Sequence, residues 1–279
     1  MHDGVYVVHT GEPSWVQRAW AAVLFASPAA LWGESAIRAA DGPGRRDRDL
    51  RSVIHVAVDR KRSVVEPSGV RVHPLAGFDS RVQWNLSPPR VRIEHALLDV
   101  ASRQPREVEA IATLADAVQA RRTTAQRLID TLSGRPRVAR RRFLDEVLRD
   151  LADGTCSALE RGYLVRVERA HRLPTGTRQS KGWSRGRVYR DVEYPAFGLV
   201  VELDGRMFHD SAAARDRDLD RDLDALVDGR SSVRLGWGQV FGRPCRTAER
   251  IAVLLAQRGW GGSMQPCPAC SPTRSRVVP

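Results

Sequence analysis

The sequence predicts a mixed α/β protein, of the α+β or α/β class. A mainly helical N-terminal region with a few strands precedes a C-terminal domain, in which helices flank a central mixed sheet. Apolar residues at helical spacing mark the first region up to residue 151. After Asp153 and Gly154 the order becomes α-β-β-α-β-α. We therefore expect domains at 1–152 and 153–260, and a flexible tail at 261–279.

The composition is that of a globular chain that can bury a core. Of its 279 residues, 42% are hydrophobic and 28% are charged. The longest apolar stretch, Trp20 to Leu31, is interrupted by Ser27 and Pro28 and falls short of the roughly 20 residues that a membrane span needs. The N-terminus lacks the order of a signal peptide. A cytoplasmic location is the default expectation.

The charge balance favours polyanionic partners. The formal net charge is +12, and basic proteins bind nucleic acids through phosphate contacts and counterion release. Lys61 and Lys181 are the only lysines, so arginine makes up the remaining basic residues. This bias is also typical of a GC-rich coding genome. Charge alone therefore leaves nucleic-acid binding and genomic bias as alternatives.

The N-terminal region is predicted to begin with a strand and then become helical. Its β-branched start predicts a strand, and Pro13 and Ser14 open a helix. Residues 93–101 place apolar side chains on one helical face. The expected elements are strand Gly4–Val8, a helix to about Phe25, strands Val53–Val58 and Val70–His73 around a turn, helix Ile93–Ala101, and helices near 106–120, 123–133 and 139–151.

A dense basic run follows the break at residues 133–136. Arg135 is followed by a group that we expect to contact phosphates: Arg137, Arg140, Arg141 and Arg142. A solvated helix start is the alternative interpretation of the same run. If the run serves DNA, it should lie on the same side of the molecule as the acidic residues described next, because carboxylates repel a phosphate backbone.

The C-terminal region contains a predicted hairpin. The strands Val188–Tyr194 and Leu199–Leu203 are joined by a turn at residues 195–198. A polar, Gly-rich loop, residues 175–187, precedes them. The other expected elements are helix Ser157–Glu168, a charged helix Ala212–Val227, strand Ser232–Leu235 and helix Thr247–Arg258.

Two carboxylates in this hairpin suggest a metal site. A short turn brings Asp191 and Glu202 side by side, which is costly unless a cation lies between them. Oxygen ligands suit Mg²⁺, which polarises phosphates and activates water. Asp204 has the same strand parity as Glu202 and shares its face. The alternative is a polar strand end before a glycine turn.

Residues flanking the hairpin are weaker candidates for the same site. Glu160 lies in the preceding helix, where Ser157 and Glu160 also fit a capping box. His209 is a candidate general base or metal ligand, although a single histidine is more often a packing residue. In the charged helix, Arg215, Asp218 and Asp222 fall on one flank of the apolar stripe, whereas Arg221 lies on the far side. A solvated face with i,i+3 ion pairs is the alternative.

The four cysteines do not suggest a metal site from their spacing. Cys267 and Cys270 form one CxxC pair in a Pro-, Ser- and Arg-rich tail, and no second such pair is nearby in the sequence. We therefore expect the tail to be mobile from about Gly261 and to bind no stable zinc.

The string "SALERGYL…YRDVEYPAFGLVVELDGRMFHD…RDLDRDLDALVDGRSSVRLGW" resembles domain-of-unknown-function family 559. That family is similar to the very-short-patch-repair (Vsr) mismatch endonucleases of the PD-(D/E)XK superfamily. The resemblance implies a restriction-endonuclease-like fold that hydrolyses DNA phosphodiesters. It implies Asp191 and Glu202 as magnesium ligands and Glu160 as the helix acid. It matches further motif positions to His209, Asp218, Arg221 and Asp222. Asp204 departs from the pattern, because that position is normally a water-activating lysine.

The string "GVYVVHTGEPSWVQRAWAAVLFASPAALWGESAIRAADGPG" resembles the region after the winged helix in AbiEi-type antitoxin-like proteins. Such proteins usually begin with a helix-turn-helix, whereas this sequence starts at what would be the wing. The resemblance implies a DNA-binding regulator of the type IV toxin–antitoxin kind, with a cognate toxin or another protein as partner.

Three functions remain open from the sequence. The first is a magnesium-dependent DNA endonuclease. The second is a non-catalytic, DNA-binding regulator of the antitoxin type that keeps the C-terminal domain only as a fold. The third is a protein whose arginine-rich surface binds an acidic protein partner.

Overall fold

The protein folds into two compact units, each of which combines helices with a mixed sheet. The computed structural model describes residues 2, 4–8, 10–42, 52–178, 190–204 and 231–270, with only the backbone of Arg190, Asp191 and Ser231. The N-terminal unit comprises residues 1–104 and 116–141, and the C-terminal unit comprises 105–115 and 142–279. The predicted mixed α/β class is confirmed.

The sheet of the N-terminal unit has five strands in the order β3-β2-β1-β5-β4. The strands are β1 (Ala30–Leu31), β2 (Ile54–Asp59), β3 (Val70–Leu75), β4 (Val82–Gln83) and β5 (Arg90–Val91). The two longer strands were predicted. They pair in parallel, so residues 60–69 carry the chain back to the end of the sheet where β2 began.

Helices of this unit lie along its described residues, and the last turn of the fifth helix belongs to it as well. They are α1 (Trp15–Phe25), α2 (Gly33–Asp41), α3 (Phe78–Arg81), α4 (Ile93–Arg103), α5 (Glu107–Gln119) and α6 (Ala125–Ser133). Helix α1 begins at a capping box, in which the Gln17 amide donates to the Ser14 hydroxyl and the Ser14 amide to the Gln17 side chain. Helix α5 is divided between the units, since its residues up to Ala115 belong to the C-terminal one.

The predicted strand at Gly4–Val8 is wrong, because these residues are irregular. Tyr6 is 88% exposed and Val8 is fully exposed. β-Branched and aromatic residues favour a strand only where a neighbouring strand and a packed face accept them, and this segment pairs with neither β1 nor β3.

A buried ion pair supports the core of the N-terminal unit. Trp32 lies in a cluster with Phe78, Val91 and other apolar residues. Its indole Nε1 donates to Asp99 Oδ2 at 3.0 Å. Arg135 forms an ion pair with the other oxygen of Asp99, and both residues are buried. The structure therefore assigns Arg135, the first residue of the basic run, to the core.

In the described part of the C-terminal unit the further α-helices are α7 (Arg141–Asp153), α8 (Ser157–Tyr163) and α9 (Pro244–Gln257). Helix α8 continues as a π turn, Leu164–Glu168, and a 3₁₀ turn, Arg169–His171. The predicted helix 157–168 is thus confirmed in extent. The predicted charged helix, residues 212–227, lies outside the described residues. None of the described helices is long and apolar enough to cross a bilayer.

A four-stranded sheet in the order β6-β7-β8-β9 occupies the C-terminal unit. Its strands are β6 (Thr177–Arg178), β7 (Arg190–Tyr194), β8 (Leu199–Leu203) and β9 (Ser231–Leu235). The predicted hairpin is the β7–β8 pair, which closes through a 3₁₀ turn and Gly198 in the left-handed conformation. Strand β9 pairs in parallel with β8.

The chain beyond α9 packs back onto the C-terminal unit. The main-chain amide of Gln265 donates to the carbonyl oxygen of His171 at 2.9 Å. Cys267 and Cys270 then form a tight turn, in which the Cys270 amide donates to the Cys267 carbonyl. A mobile tail from about Gly261 stays a prediction, although residues 265–270 make these main-chain contacts, and residues 271–279 lie outside the described part of the chain.

Replacing Arg135 should destabilise the N-terminal unit. Arg135→Ala leaves the buried carboxylate of Asp99 without its counter-charge, so we expect a loss of about 3–5 kcal/mol in the free energy of unfolding. Chemical denaturation of the full chain measures this loss. The control is Arg137→Ala at an exposed position, with an expected change within about 0.5 kcal/mol. Equal effects of the two substitutions would contradict the structural role of Arg135.

Candidate active site

One face of the C-terminal sheet collects charged residues from three strands. Asp191 on β7 is the direct cross-strand partner of Glu202 on β8, and Glu202 is aligned with Arg234 on β9. Aligned residues of neighbouring strands share a face of the sheet. Val192 and Val201, one position further along, lie on the opposite face and are fully buried. The register therefore assigns Asp191, Glu202 and Arg234 to the more exposed face, which we call the acidic face.

Glu202 and Arg234 form a charge-assisted pair on this face. The Nε and Nη2 atoms of Arg234 both donate to Oε2 of Glu202, at 3.2 Å and 3.0 Å. The side chains are 18% and 30% exposed for Glu202 and Arg234 respectively. A guanidinium that donates twice fixes the carboxylate more firmly than a single contact does. Glu202 is thus held in a defined position at the middle of the sheet.

Asp204 extends the acidic face by one step toward the end of β8. Its main-chain amide donates to the carbonyl oxygen of Leu235 at 2.9 Å, so the parallel pairing continues past the last residue of the strand. Asp204 has the parity of Glu202 and is half-buried. The hydrogen bond to β9 therefore holds the backbone of Asp204 in line with the strand.

The buried face of the same sheet depends on the carboxylate of Glu168, which is 1% exposed. Its Oε1 accepts hydrogen bonds from the Gly176 amide at 3.0 Å and the Tyr194 hydroxyl at 2.7 Å. Its Oε2 accepts one from Arg178 at 2.6 Å. The hydroxyls of Tyr163 and Tyr194 are 2.9 Å apart. This network, which we call the Glu168 network, joins the π turn to β6 and β7.

Both tyrosines of the Glu168 network are held in the neutral form. Burial raises the pKa of Tyr163. Burial, together with the charges of Tyr163 and Glu168, raises the pKa of Tyr194 further above its usual range. Neutral hydroxyls donate hydrogen bonds, so these tyrosines compensate the buried carboxylate instead of acting as bases. The network accordingly has a structural role beneath the acidic face.

A capping box is one interpretation of the spacing between Ser157 and Glu160, and it requires Ser157 to be the N-cap residue of α8. The N-cap residue of α8 is Cys156. Asp150 of α7 performs the capping, since its Oδ2 accepts the Ala158 amide at 2.7 Å and its Oδ1 accepts the Thr155 hydroxyl at 2.8 Å. Glu160 lies one turn before Tyr163 on this helix. Its convergence with Asp191 and Glu202 stays a prediction.

Five candidate residues lie outside the described residues, within 205–230. They are His209, Arg215, Asp218, Arg221 and Asp222. Their predicted roles as base, helix carboxylates and cations stay predictions from the sequence.

The arginines of the basic run differ in what they contact. Arg140 donates to the Gln104 carbonyl at 2.7 Å, and Arg141 to the Leu132 carbonyl at 2.7 Å. Arg137 is exposed, and the Arg142 side chain is 88% exposed beside Glu146. Arg137, Arg140 and Arg142 are thus exposed, and Arg140 is already engaged with a main-chain carbonyl.

Sequence reasoning missed Arg234 and the Glu168 network. The sequence does indicate which face of β9 Arg234 occupies, because Arg234 alternates with the apolar residues of that strand. Its alignment with Glu202 follows only from a parallel pairing that the sequence does not specify. Glu168 is one of several acidic residues on a predicted helix, and its burial follows from the irregular turns around it.

Comparisons of the chain with protein-family models, with curated proteins and with solved structures find no match.

The buried tyrosines should make stability fall at alkaline pH. The pKa of Tyr163 in the folded state lies above its unfolded value of 10.0, so the hydroxyl is protonated in both states below pH 10. Above that pH the unfolded chain binds fewer protons, and the free energy of unfolding falls as pH rises. Tyr163→Phe removes this contribution. The slope of the free energy of unfolding against pH should therefore become shallower by up to about 1.4 kcal/mol per pH unit.

Urea denaturation of the parent and Tyr163→Phe at a series of pH values from about 9 to about 11 tests this slope. Tyr6→Phe, at a position 88% exposed, is the matched control and should reproduce the parent slope. Identical slopes for the parent and Tyr163→Phe would show that Tyr163 titrates in the folded protein as it does in the unfolded chain.

Proposed function

We propose that the C-terminal unit is a magnesium-dependent endonuclease domain that hydrolyses DNA phosphodiester bonds. The observation that carries the proposal is the cross-strand pairing of Asp191 with Glu202. Two carboxylates at directly opposed positions on one face repel each other unless a cation compensates them. The resemblance to the Vsr-like nucleases, which attributes metal binding to the same two residues, supports the proposal independently.

The donor set fits magnesium. Asp191 and Glu202 would hold the ion through carboxylate oxygens, which Mg²⁺ prefers while it retains several waters. When bound, the ion supplies a Lewis acid for the phosphate and lowers the pKa of an attacking water. Arg234 occupies Oε2 of Glu202, which leaves Oε1 as the oxygen for the ion. Hydrogen bonding of this kind orients metal ligands in other sites.

Arg234 could supply the positive charge that a lysine at the position of Asp204 would supply. In the resembling superfamily a lysine at the position of Asp204 assists the attack on phosphorus. Arg234 lies on the neighbouring strand and on the face of Glu202. Its guanidinium stays charged and cannot accept a proton, so its role would be to stabilise negative charge on the phosphate. The base would be His209 or water.

DNA is the substrate class that the charge of the chain favours. The formal net charge of +12 provides a general attraction for a polyanion. A cluster of carboxylates repels a phosphate backbone, so cations elsewhere must position the duplex. Arg137 and Arg142 are exposed candidates for this task.

The second candidate function is a DNA-binding regulator without nuclease activity. Two observations favour it: Arg234 already compensates Glu202, and an acidic residue, Asp204, stands where a catalytic lysine is expected. The resemblance of the N-terminal region to antitoxin-like proteins is compatible with this role. A regulator would bind DNA in a salt-dependent manner and leave it intact.

Asp191→Ala should strongly reduce magnesium-dependent cleavage. The substitution removes one of the two proposed ligands, and we expect the rate of plasmid nicking to fall on the order of 100-fold. The assay compares the parent and the variant with magnesium and with excess chelator. Calorimetric titration with magnesium alone measures loss of the ion site separately from loss of activity.

Glu193→Ala is the matched control for this experiment. Glu193 lies on the same strand and face as Asp191, but its cross-strand partner is Val200 in place of a carboxylate. We expect the control to nick plasmid at the parent rate. Absence of magnesium-dependent nicking by the parent, together with retained DNA binding, would select the regulator in place of the endonuclease.

Removing the exposed arginines should weaken DNA binding in either function. The double variant Arg137→Ala/Arg142→Ala loses up to two phosphate contacts, so the slope of log affinity against log salt should decrease by about 2. Fluorescence anisotropy with a labelled duplex at several salt concentrations measures it. The exposed pair Arg60→Ala/Lys61→Ala has the same change of charge outside the run and is the control. If the slope of log affinity against log salt is the same for both double variants, DNA binding depends on the total charge of the protein and not on these two arginines.

A further inference from the structure

Four side chains of metal-ligand type meet in the C-terminal unit, and none of them belongs to the acidic face. They are His171 at the end of the 3₁₀ turn, Cys245 in the first turn of α9, and Cys267 and Cys270 beyond that helix. One ligand atom of each lies within 4.8 Å of every other. We call this group the His171–cysteine cluster. Three separate segments of the chain supply its members.

Three of the six distances between ligand atoms of the cluster are close to those expected around a tetrahedral zinc ion. The Sγ atoms of Cys245 and Cys267 are 3.6 Å apart, and those of Cys267 and Cys270 are 3.8 Å apart. Nε2 of His171 lies 3.5 Å from Sγ of Cys270. Zinc–sulfur bonds of about 2.3 Å and zinc–nitrogen bonds of about 2.0 Å at tetrahedral angles give S···S and S···N separations of about 3.8 Å and about 3.6 Å.

The imidazole of His171 is oriented for metal binding. The side chain is fully buried, and its Nδ1 lies 3.1 Å from the carbonyl oxygen of Val167. A carbonyl can only accept, so Nδ1 carries the proton and Nε2 presents its lone pair toward the sulfurs. Histidines that bind metals usually donate their second ring N–H to a carbonyl or carboxylate in this way.

We propose that His171, Cys245, Cys267 and Cys270 bind one structural zinc ion. Three thiolates and one imidazole form a closed set of four ligands, which is typical of structural zinc and leaves no position for a substrate. Thiolates select zinc over magnesium, so this site is chemically distinct from the acidic face. The inference does not depend on whether that face cleaves DNA.

Free thiols without metal are a poor explanation of the cluster. None of the four cysteines forms a disulfide. Three of them converge on a buried imidazole, although Cys245 and Cys267 are 22 residues apart and Cys270 and His171 are 99 residues apart. Bringing such distant segments together costs chain entropy, and a shared metal ion compensates that cost.

The zinc site would attach the C-terminal segment to the support of the sheet. The main-chain amide of Gln265 donates a hydrogen bond to the carbonyl oxygen of His171. His171 lies three residues after Glu168 in the sequence. The ion would therefore fix the end of the helical segment whose carboxylate holds β6 and β7. Loss of zinc should loosen the Glu168 network as well as the C-terminal segment.

The first test is metal analysis of the full chain purified under reducing conditions. We expect one zinc per chain by inductively coupled plasma mass spectrometry, retained on dialysis without chelator. Cys267→Ser should lose this zinc because it removes a thiolate ligand. Cys156→Ser is the matched control, since Cys156 is buried at the start of α8 and lies outside the cluster. It should retain one zinc per chain.

Cobalt substitution and two histidine variants provide a second measurement. Replacing zinc with Co²⁺ in the parent should give the intense visible absorption of tetrahedral cobalt and the ultraviolet bands of thiolate ligation. His171→Cys keeps four suitable ligands and should retain stoichiometric zinc, whereas His171→Ala should lose it. The cobalt spectrum of the parent decides the question even if Cys267→Ser fails to fold.

The proposal is overturned by any of three results. The first is a parent protein that contains no stoichiometric zinc and takes up neither zinc nor cobalt. The second is zinc that remains bound at full stoichiometry in Cys267→Ser. The third is a disulfide between two cluster cysteines in the reduced preparation, detected by mass spectrometry of peptides after alkylation.

Discussion

The buried charge of Glu168 is the constraint on which the C-terminal unit depends. An ionised carboxylate removed from water is costly unless charge and hydrogen bonds replace its hydration. Here a guanidinium, a phenol and a main-chain amide do so, and they come from Arg178, Tyr194 and Gly176. These partners lie on β6, on β7 and just before β6. Folding of the segment that holds Glu168 and folding of the sheet edge are therefore one cooperative event.

Gly176 shows how closely the chain passes this carboxylate. A Cβ atom at this position would collide with Cγ1 of Val192 and would lie 3.1 Å from Oε1 of Glu168. A larger residue would separate β7 from the carboxylate. Two requirements thus meet at one residue: its amide must reach Glu168, and its lack of a side chain must admit the buried valine of β7.

Buried apolar residues and charged residues alternate along β7 and β8, so the two kinds lie on opposite faces of the sheet. Val192 and Val201 pack against the interior, and Asp191 and Glu202 occupy the other face at the adjacent pair of positions. A shift of register by one residue would exchange these sets. The short turn at residues 195–198 prevents such a shift, so the geometry of the turn determines that the two carboxylates meet.

Local patterns made much of this fold predictable. The helices α1 and α4 to α7 have apolar residues at helical spacing, and the β7–β8 hairpin has alternation and a turn signal. Its register follows from the turn, so the pairing of Asp191 with Glu202 was predictable as well. Strands β1, β4 and β5 were not, because two residues form too short a pattern to be recognised.

The features that sequence reasoning missed are those that depend on distant pairing. Arg234 meets Glu202 through the parallel alignment of β8 and β9, although the two residues are 32 positions apart in the sequence. His171 and Cys245 are remote in sequence from the CxxC pair, so a search for nearby ligands does not find them. Conversely, the start of the chain has strand-forming residues at Gly4–Val8 but does not form a strand, because propensity without a pairing partner is insufficient.

The division of helix α5 between the two units has a consequence for synthesis on the ribosome. Ala110 and Ile111 are fully buried and belong to the C-terminal unit, although the N-terminal unit resumes at residue 116. At about 5–20 residues per second, the ribosome needs roughly 7–30 s to proceed from residue 115 to the end of α9. During that time residues 105–115 have been synthesised but the rest of the unit to which they belong is incomplete, so their apolar side chains are buried only when synthesis has passed α9.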